Sequence, residues 1–351
     1  MLSIPLKLTF DDVLLEPRRS AVTRSGAKTE TWLTRKIKLQ IPLISAAMDT
    51  VSELKMAIAL GKLGSMAILH RSCAISDQVA WVKTAKKQGV MVGAAAGPAD
   101  LERARALDKA GADVVVVDTA HAHNTHVINN IKKIRAATKT QLIIGNIATE
   151  EAAKDLLPFC DAIKVGIGPG SICTTRVVAG IGVPQLSAIM DVFAVAKNKN
   201  IPVIADGGMK YSGDVVKALA AGASSVMLGS MLAGTDEAPG KFIQKDGKFY
   251  KQYRGMGSFE VLAANKSSDR YFQKNAKKFI AEGVSALTSY KGPVAEIVTQ
   301  IVGGVKSGMG YIGAATIADM PKQARFVQIT AAGLMESHPH SVVISKKAPN
   351  Y

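Results

Sequence analysis

Eight short, nearly continuous apolar runs recur along this chain, and a segment with helical apolar spacing follows each of them. They read PLISAAM (42–48), SMAILH (65–70), VMVGAAA (90–96), DVVVVD (113–118), QLIIGN (141–146), AIKVGI (162–167), PVIADGG (202–208) and SVMLGS (225–230). Runs that are apolar on both faces belong in a parallel sheet covered by helices. Eight such units predict one closed (β/α)8 barrel, with a doubly wound sheet as the alternative, and a chain of 351 residues suits a single barrel domain. Between the runs, EEAAKDLLPF and SGDVVKALAAG carry helical spacing, and Gly222, which closes the second, is a C-cap candidate.

Polar and glycine residues gather where the runs end. Asp118 ends the fourth, Asn146 the fifth, Gly166 and Gly168 the sixth, Asp206 the seventh, and Gly229 with Ser230 the eighth. In a barrel these positions meet at the C-terminal face, where active sites form, and the loops after strands seven and eight are the usual phosphate cradle. Here those loops are DGGMKYSGD and LGSMLAG, able to turn backbone N–H groups toward an anion. A phosphorylated substrate follows from the residues alone. Asp118 has a neutral alternative as a helix N-cap.

The stretch IKVGIGPGSICTTRVVAGIGVPQ (163–185) sets Cys173 after a run of glycines and beside two threonines. Such a loop brings backbone close to a ligand, and its cysteine could be a nucleophile. A turn around a buried thiol is the other reading. Roughly 120 residues follow the eighth run, too many for a closing helix alone. They hold YRGMGS (253–258), the polar segment ANKSSDRYFQKNAKKF (264–279) and a tail ending APNY. That polar segment reads as a lid or as a disordered insertion, and the flap is placed at approximately 245–290.

Composition narrows the classes. With 48% hydrophobic and 21% charged residues the chain has ample material for a core, and no run approaches the ~18 apolar residues of a membrane helix. The opening MLSIPLKLTFDDVLLEP does not read as a secretory signal. Three cysteines, Cys73, Cys160 and Cys173, form no CxxC pair, which argues against disulfides and zinc and for a cytoplasmic setting. The net charge of +16 comes from scattered lysines, while aromatics at 5% do not interleave with them. Attraction for anionic small substrates accounts for that charge more economically than nucleic-acid binding, which stays secondary.

Several motifs are long and specific. GIGPGSICTTRVVAGIGVPQ, ADGG, YSGD, GSMLAGTDEAPG, YRGMGS, DRYFQ, ESHPHS and APNY together resemble the inosine-5′-monophosphate (IMP) dehydrogenase family, from LTFDDVLLEP to Tyr351. The pair of CBS regulatory modules usual in that family is absent between residues 72 and 90. The resemblance implies oxidation of IMP to xanthosine monophosphate with NAD+ and water, in guanine nucleotide synthesis, through a thioimidate on Cys173. A soft nucleophile that makes the purine C2 tetrahedral turns it into a hydride donor. By the same resemblance Ser171, Asp206, Gly207, Gly208, Gly229, Ser230, Tyr253, Gly255, Met256, Gly257 and Glu282 bind IMP. Asp118, Thr119, Asn146, Gly166 and Gly168 contact the nicotinamide half of NAD+. No Rossmann fingerprint follows a strand, so the dinucleotide must use the barrel face.

The family also implies a K+ ion held by carbonyls of Gly168, Gly170 and Cys173 with Glu336, Ser337 and His338 of a neighbouring subunit, and a homotetramer. His338 and His340 lack a third ligand for a transition metal. Ala46 stands where several relatives carry serine. Arg270, with Tyr271, is the implied activator of water, although a guanidinium keeps its proton below a pKa of ~12 unless desolvation or a hydrogen bond favours the neutral form. Thr175 relayed to Glu282 offers a second base. Two rivals remain: guanosine monophosphate reductase, which shares barrel and cysteine but hydrolyses nothing, and a basic nucleic-acid-binding barrel.

Overall fold

The computed structural model describes residues 4–264, 269–271, 273 and 278–345. The eight apolar runs form strands β1 (Leu43–Ser45), β2 (Met66–Leu69), β3 (Val92–Ala96), β4 (Val114–Asp118), β5 (Gln141–Ile147), β6 (Ala162–Val165), β7 (Val203–Asp206) and β8 (Ser225–Leu228). All pair in parallel, and β8 pairs with β1, so the sheet closes in the order β7-β8-β1-β2-β3-β4-β5-β6. The barrel is therefore realised and the open doubly wound sheet is not. Among the described residues no helix is long and apolar enough to cross a membrane.

Strand alternation divides the core in two. Ile44, Met66, Ile68, Val114, Val116, Ile143, Ala162, Ile204 and Met227 fill the barrel interior. Val115, Val117, Ile144, Ile163, Val203 and Val226 face outward against the helices. This is the period of two that a pleated strand imposes. Carried one step toward the C-terminal rim, the inward register of β4, β6 and β7 arrives at Asp118, Lys164 and Asp206. A hairpin of Thr31–Trp32 with Lys38–Leu39 lies near the opposite end, adding Leu33 and Leu39 to the interior cluster.

The outer layer is made by α1 (Leu54–Lys62), α2 (Ile75–Lys87), α3 (Leu101–Ala110), α4 (Thr125–Ala137), α5 (Glu150–Leu156), α6 (Gln185–Ala196), α7 (Ser212–Ala220) and α8 (Val294–Ile312). Their ends carry local signals. The Asn124 side chain accepts the N–H groups of His126 and Val127 to start α4, and Thr149 caps α5 through Ala152. Gly222 ends the α7 unit at φ +113, with its N–H on the Leu219 carbonyl. The C-cap expectation is met, and a side chain there would also strike Phe193, 2.1 Å from the ideal Cβ.

After β8 the chain forms an antiparallel sheet of β9 (Ile243–Lys245), β10 (Lys248–Arg254) and β11 (Ser285–Ser289). The expected flap thus begins and ends on ordered strands. Its stretches 265–268, 272 and 274–277, and the tail from 346, lie outside the described residues. The chain ends meet where Val13–Leu15 pairs antiparallel with Phe326–Gln328.

Candidate active site

A cavity of about 370 Å³ opens at the C-terminal rim of the barrel. Asp118, Asn146, Gly166, Gly168, Gly170, Ser171, Cys173, Thr175, Asp206, Gly207, Gly208, Gly229, Ser230, Tyr253, Gly255, Met256, Arg270 and Tyr271 all line it. Most of the side chains singled out from the sequence are therefore brought together. Thr119, Gly257 and Glu282 stand behind this lining, and Glu336, Ser337 and His338 are not part of it.

The floor is a buried charge network. Lys164, 1% exposed, donates to Asp118 Oδ1 at 3.2 Å and Asp206 Oδ2 at 2.6 Å, and to the Asn146 amide oxygen. Asn146 in turn donates to the Gly166 carbonyl at 2.6 Å and to Asp206 at 2.9 Å. An unpaired charge at this depth would be costly, so each group fixes the others. Gly145 makes the arrangement possible: a Cβ there would stand 2.6 Å from the Lys164 Cβ. Nothing in the sequence reading singled out Lys164. The available signal was a lysine inside an otherwise apolar barrel strand. Gln185 was also missed; its amide ties the Val165 carbonyl to that of Asp206 at 2.9 and 3.1 Å.

The cysteine loop closes one side. Cys173 opens a one-turn helix, Thr175–Val178, with its N–H on the Gly170 carbonyl at 3.0 Å. The thiol reaches the Thr175 hydroxyl at 3.2 Å. Arg176 donates to the Val183 carbonyl at 2.7 Å. Burial pulls this guanidinium below its ordinary range, while the neighbouring Cys173 opposes that. A cation therefore stands beside the thiol, in addition to the N–H groups that the glycines predicted. Gly168, at φ +79, would place a Cβ 2.6 Å from the Arg176 side chain, so the turn presents bare backbone. Bare carbonyls suit a large monovalent cation.

The arm beyond β10 packs on that loop. Cys173 and Gly283 form an antiparallel bridge. The Thr174 N–H donates to the Glu282 carbonyl at 3.0 Å, and the Glu282 N–H to the Gly257 carbonyl at 3.0 Å. Glu282 enters these contacts through its backbone; no hydrogen bond joins its carboxylate to Thr175 among the described residues. The implied relay is thus not pre-formed. Tyr253 bonds to Ser171, and burial pushes its hydroxyl up to about 12, so it stays protonated as a donor. That hydroxyl leaves no room for a Cβ on Gly229, which would sit 2.9 Å away. Ala46 lines the cavity in the same corner.

Arg270 and Tyr271 enter from the other side. The Arg270 guanidinium is ion-paired with Asp118, and its carbonyl accepts the Ala120 N–H at 3.3 Å and the Thr119 hydroxyl at 3.4 Å. Asp269 pairs with Arg71 at 2.9 Å. Complete burial pulls the Arg270 guanidinium downward, Tyr271 opposes this, and Arg71 adds to it. The Asp118 carboxylate against it favours the charged form, so in this arrangement we assign Arg270 as protonated. Burial likewise pushes the Tyr271 hydroxyl up, with the Arg270 charge opposing. Residues 269–271 thus occupy the end of β4, over Asp118 and Thr119.

Farther out, His338 stacks edge-on with Tyr211, ring centroids 5.6 Å apart. Glu336, at the end of helix Ala331–Glu336, and Ser337 precede it.

Residues 7–340 match the family model of the IMP dehydrogenase / GMP reductase domain. The inosine-5′-monophosphate dehydrogenase of Methanocaldococcus jannaschii is 39% identical over 480 aligned positions, covering 98% of this chain and 97% of that protein. The enzyme of the same name from Cryptosporidium parvum is 43% identical over 390 positions, with 98% and 97% covered. That of Borreliella burgdorferi is 44% identical over 392, with 95% and 97% covered. An alignment of 480 positions against 351 residues means that the first relative carries sequence with no counterpart here.

Proposed function

The chain belongs to the IMP dehydrogenase / GMP reductase family, an oxidoreductase family, and from that premise we propose that it oxidises IMP to xanthosine monophosphate with NAD+ and water. The observation that carries this reading is the position of Cys173. Its thiol faces the cavity between the glycine loops after β7 and β8 on one side and Asp118 with Arg270 on the other. A nucleotide anchored by its phosphate at Gly208, Gly229 and Ser230, with its ribose hydroxyls on Asp206, extends its base toward that sulfur. Keeping carboxylate and phosphate apart in this way avoids repulsion.

The atoms balance as follows. The thiolate adds to C2, hydride leaves C2 for the nicotinamide of NAD+, and a thioimidate remains on Cys173. Water then adds at C2 and the thiol leaves, giving xanthosine monophosphate, NADH and one proton. NAD+ shares Asp118, Thr119, Asn146, Gly166 and Gly168, the ground on which Arg270 rests here, so NADH must leave before residues 269–271 take this position. Arg270 then orients the attacking water, with Tyr271 beside it, while Thr175 and Glu282 supply the alternative base once they approach. The carbonyls of Gly168, Gly170 and Cys173, with Glu336, Ser337 and His338 of a neighbouring copy in a homotetramer, would hold K+, which would supply positive charge beside the loop that carries the thiol. Three free cysteines agree with a reducing, cytoplasmic setting. The whole chain is one catalytic unit without the CBS pair.

Incubation with IMP and NAD+ in KCl should generate NADH, and LiCl at equal ionic strength should slow it sharply, because Li+ holds its water more tightly than carbonyls can replace it. NADPH consumption with guanosine monophosphate, and none with IMP and NAD+, would establish the reductase instead.

A further inference from the structure

Behind the loop that ends β8 lies an ammonium with no counter-ion. Lys291, between β11 and α8, donates from Nζ to the Ser230 carbonyl at 2.5 Å and to the Met231 carbonyl at 3.4 Å. Among the described residues no carboxylate stands within ion-pair distance of it. The neighbouring charges are otherwise engaged. Asp236 accepts from the Tyr290 hydroxyl, and Glu237 accepts the Val294 N–H at 2.9 Å. Glu296 belongs to the first turn of α8, and the Lys251 ammonium sits on the carbonyls of Thr235, Asp236 and Ala238. Lys210 is paired with Asp11 and Arg254 with Asp49, while Arg176, on the cysteine loop, rests on the Val183 carbonyl. A partly buried, unmatched cation costs free energy that a bound anion would offset.

The peptide between Ser230 and Met231 carries that charge forward. In a trans peptide the C=O and N–H point in opposite directions. With the carbonyl held by Lys291, the Met231 N–H is turned away from the lysine, and it has no protein acceptor among the described residues. Both residues line the cavity.

We propose that Lys291 is the positioning residue and remote counter-charge of the phosphate subsite: it holds the Ser230–Met231 peptide with its N–H toward the anion and supplies positive charge to a dianion otherwise met by backbone and hydroxyl groups. This rests on reading the loop after β8 as a phosphate cradle. Desolvation pulls the free ammonium from 10.5 down to about 8, so above that pH the empty site loses its proton and a dianion must draw one back. Affinity for a phosphorylated ligand therefore falls as pH rises past about 8. The sign for folding is opposite. Between about 8 and 10.5 the unfolded chain holds the proton that the empty folded protein has released, so this group adds stability as pH rises through that window.

The test is equilibrium binding of IMP, inosine and inorganic phosphate, without NAD+, to wild type, Lys291→Met and Lys291→Arg at pH 7 and pH 9. The phosphate of IMP, a monoester with a second pKa of ~6, is essentially a dianion at both pH values, whereas inorganic phosphate gains charge between them, so its affinities are compared between variants at one pH. Lys291→Met should weaken IMP and inorganic phosphate about tenfold at pH 7 while leaving inosine within about twofold, the scale of one lost charge contact. Lys291→Arg should bind IMP nearly as wild type at pH 7 and lose the weakening at pH 9, because guanidinium keeps its proton. Equal losses for IMP and inosine would reduce Lys291 to a loop staple, and unchanged binding in both variants would also overturn the proposal. If Lys291→Met does not fold, the pH profile of Lys291→Arg decides alone. Wild-type protein that binds inorganic phosphate in a lysine-dependent way but not IMP would sink the substrate reading and leave this one standing.

Discussion

Asp118, Lys164 and Asp206 stand on the barrel rim because strand alternation puts them there, three inward positions continuing the rows of Val116, Ala162 and Ile204. Cys173 and Arg270, on loops, and Tyr253, on strand β10, reach the same cavity from segments tied by the Cys173–Gly283 bridge, the Thr174–Glu282 bond and the ion pair to Asp118. On the rim, side chains are locked by mutual charge in a rigid sheet. The arms are held by backbone bonds and by ion pairs across to the barrel, Arg270 with Asp118, Asp269 with Arg71 and Arg254 with Asp49. The proposed reaction, with two chemical steps in one cavity, would need both kinds of support. Binding the nucleotide calls for fixed groups, and exchanging NADH for water calls for a segment that can leave.

Substitutions can break that contrast. The largest effect is expected in an arm. Cys173→Ala should lower NADH formation by ~10³-fold or more, the scale on which a lost nucleophile is felt, while melting temperature and IMP binding stay close to wild type. Residual turnover near the wild-type rate would remove the thiol from the chemistry. On the rim the loss should fall on the fold itself. Lys164→Met strands Asp206 and weakens the hold on Asp118, and removing one partner of a buried pair costs ~3–5 kcal/mol. Chemical denaturation would read this, with Lys164→Arg recovering part of it. A stable Lys164→Met protein would mean that the floor is not held by charge. A smaller effect belongs to the scaffold. Gly222→Ala meets Phe193 at 2.1 Å in a left-handed conformation and should cost ~1–3 kcal/mol by overpacking, with KM for IMP unchanged.

The same contrast explains what could be read from the sequence. Eight apolar runs, and the polar residues ending them, follow from a period of two and from helix caps, which are local rules. They gave the barrel and the rim. Lys164 follows the same register, yet within AIKV it looks like a surface residue until the strand is known to be closed into a barrel. Arg176, Gln185 and Lys291 act through contacts across loops, which no spacing encodes. The roles of Tyr253, Arg270 and Glu282 came from resemblance, because residues 253–282 have no periodicity that fixes where they fold. Resemblance named Glu282 as a partner of Thr175, whereas here its carbonyl accepts the N–H of Thr174.

The two-step account, with Arg270 serving only the second step, is tested most directly by a rapid-quench experiment on Arg270→Ala mixed with IMP and NAD+. NADH and the intact mass of the protein are followed together. The account predicts a burst of about one NADH per active site at nearly the wild-type rate, then turnover slowed ~10²-fold, the scale on which lost positioning of a reactant is felt. An adduct on Cys173 should accumulate with the burst and decay with the slow phase. Steady turnover at the wild-type rate, with neither burst nor adduct, would contradict it.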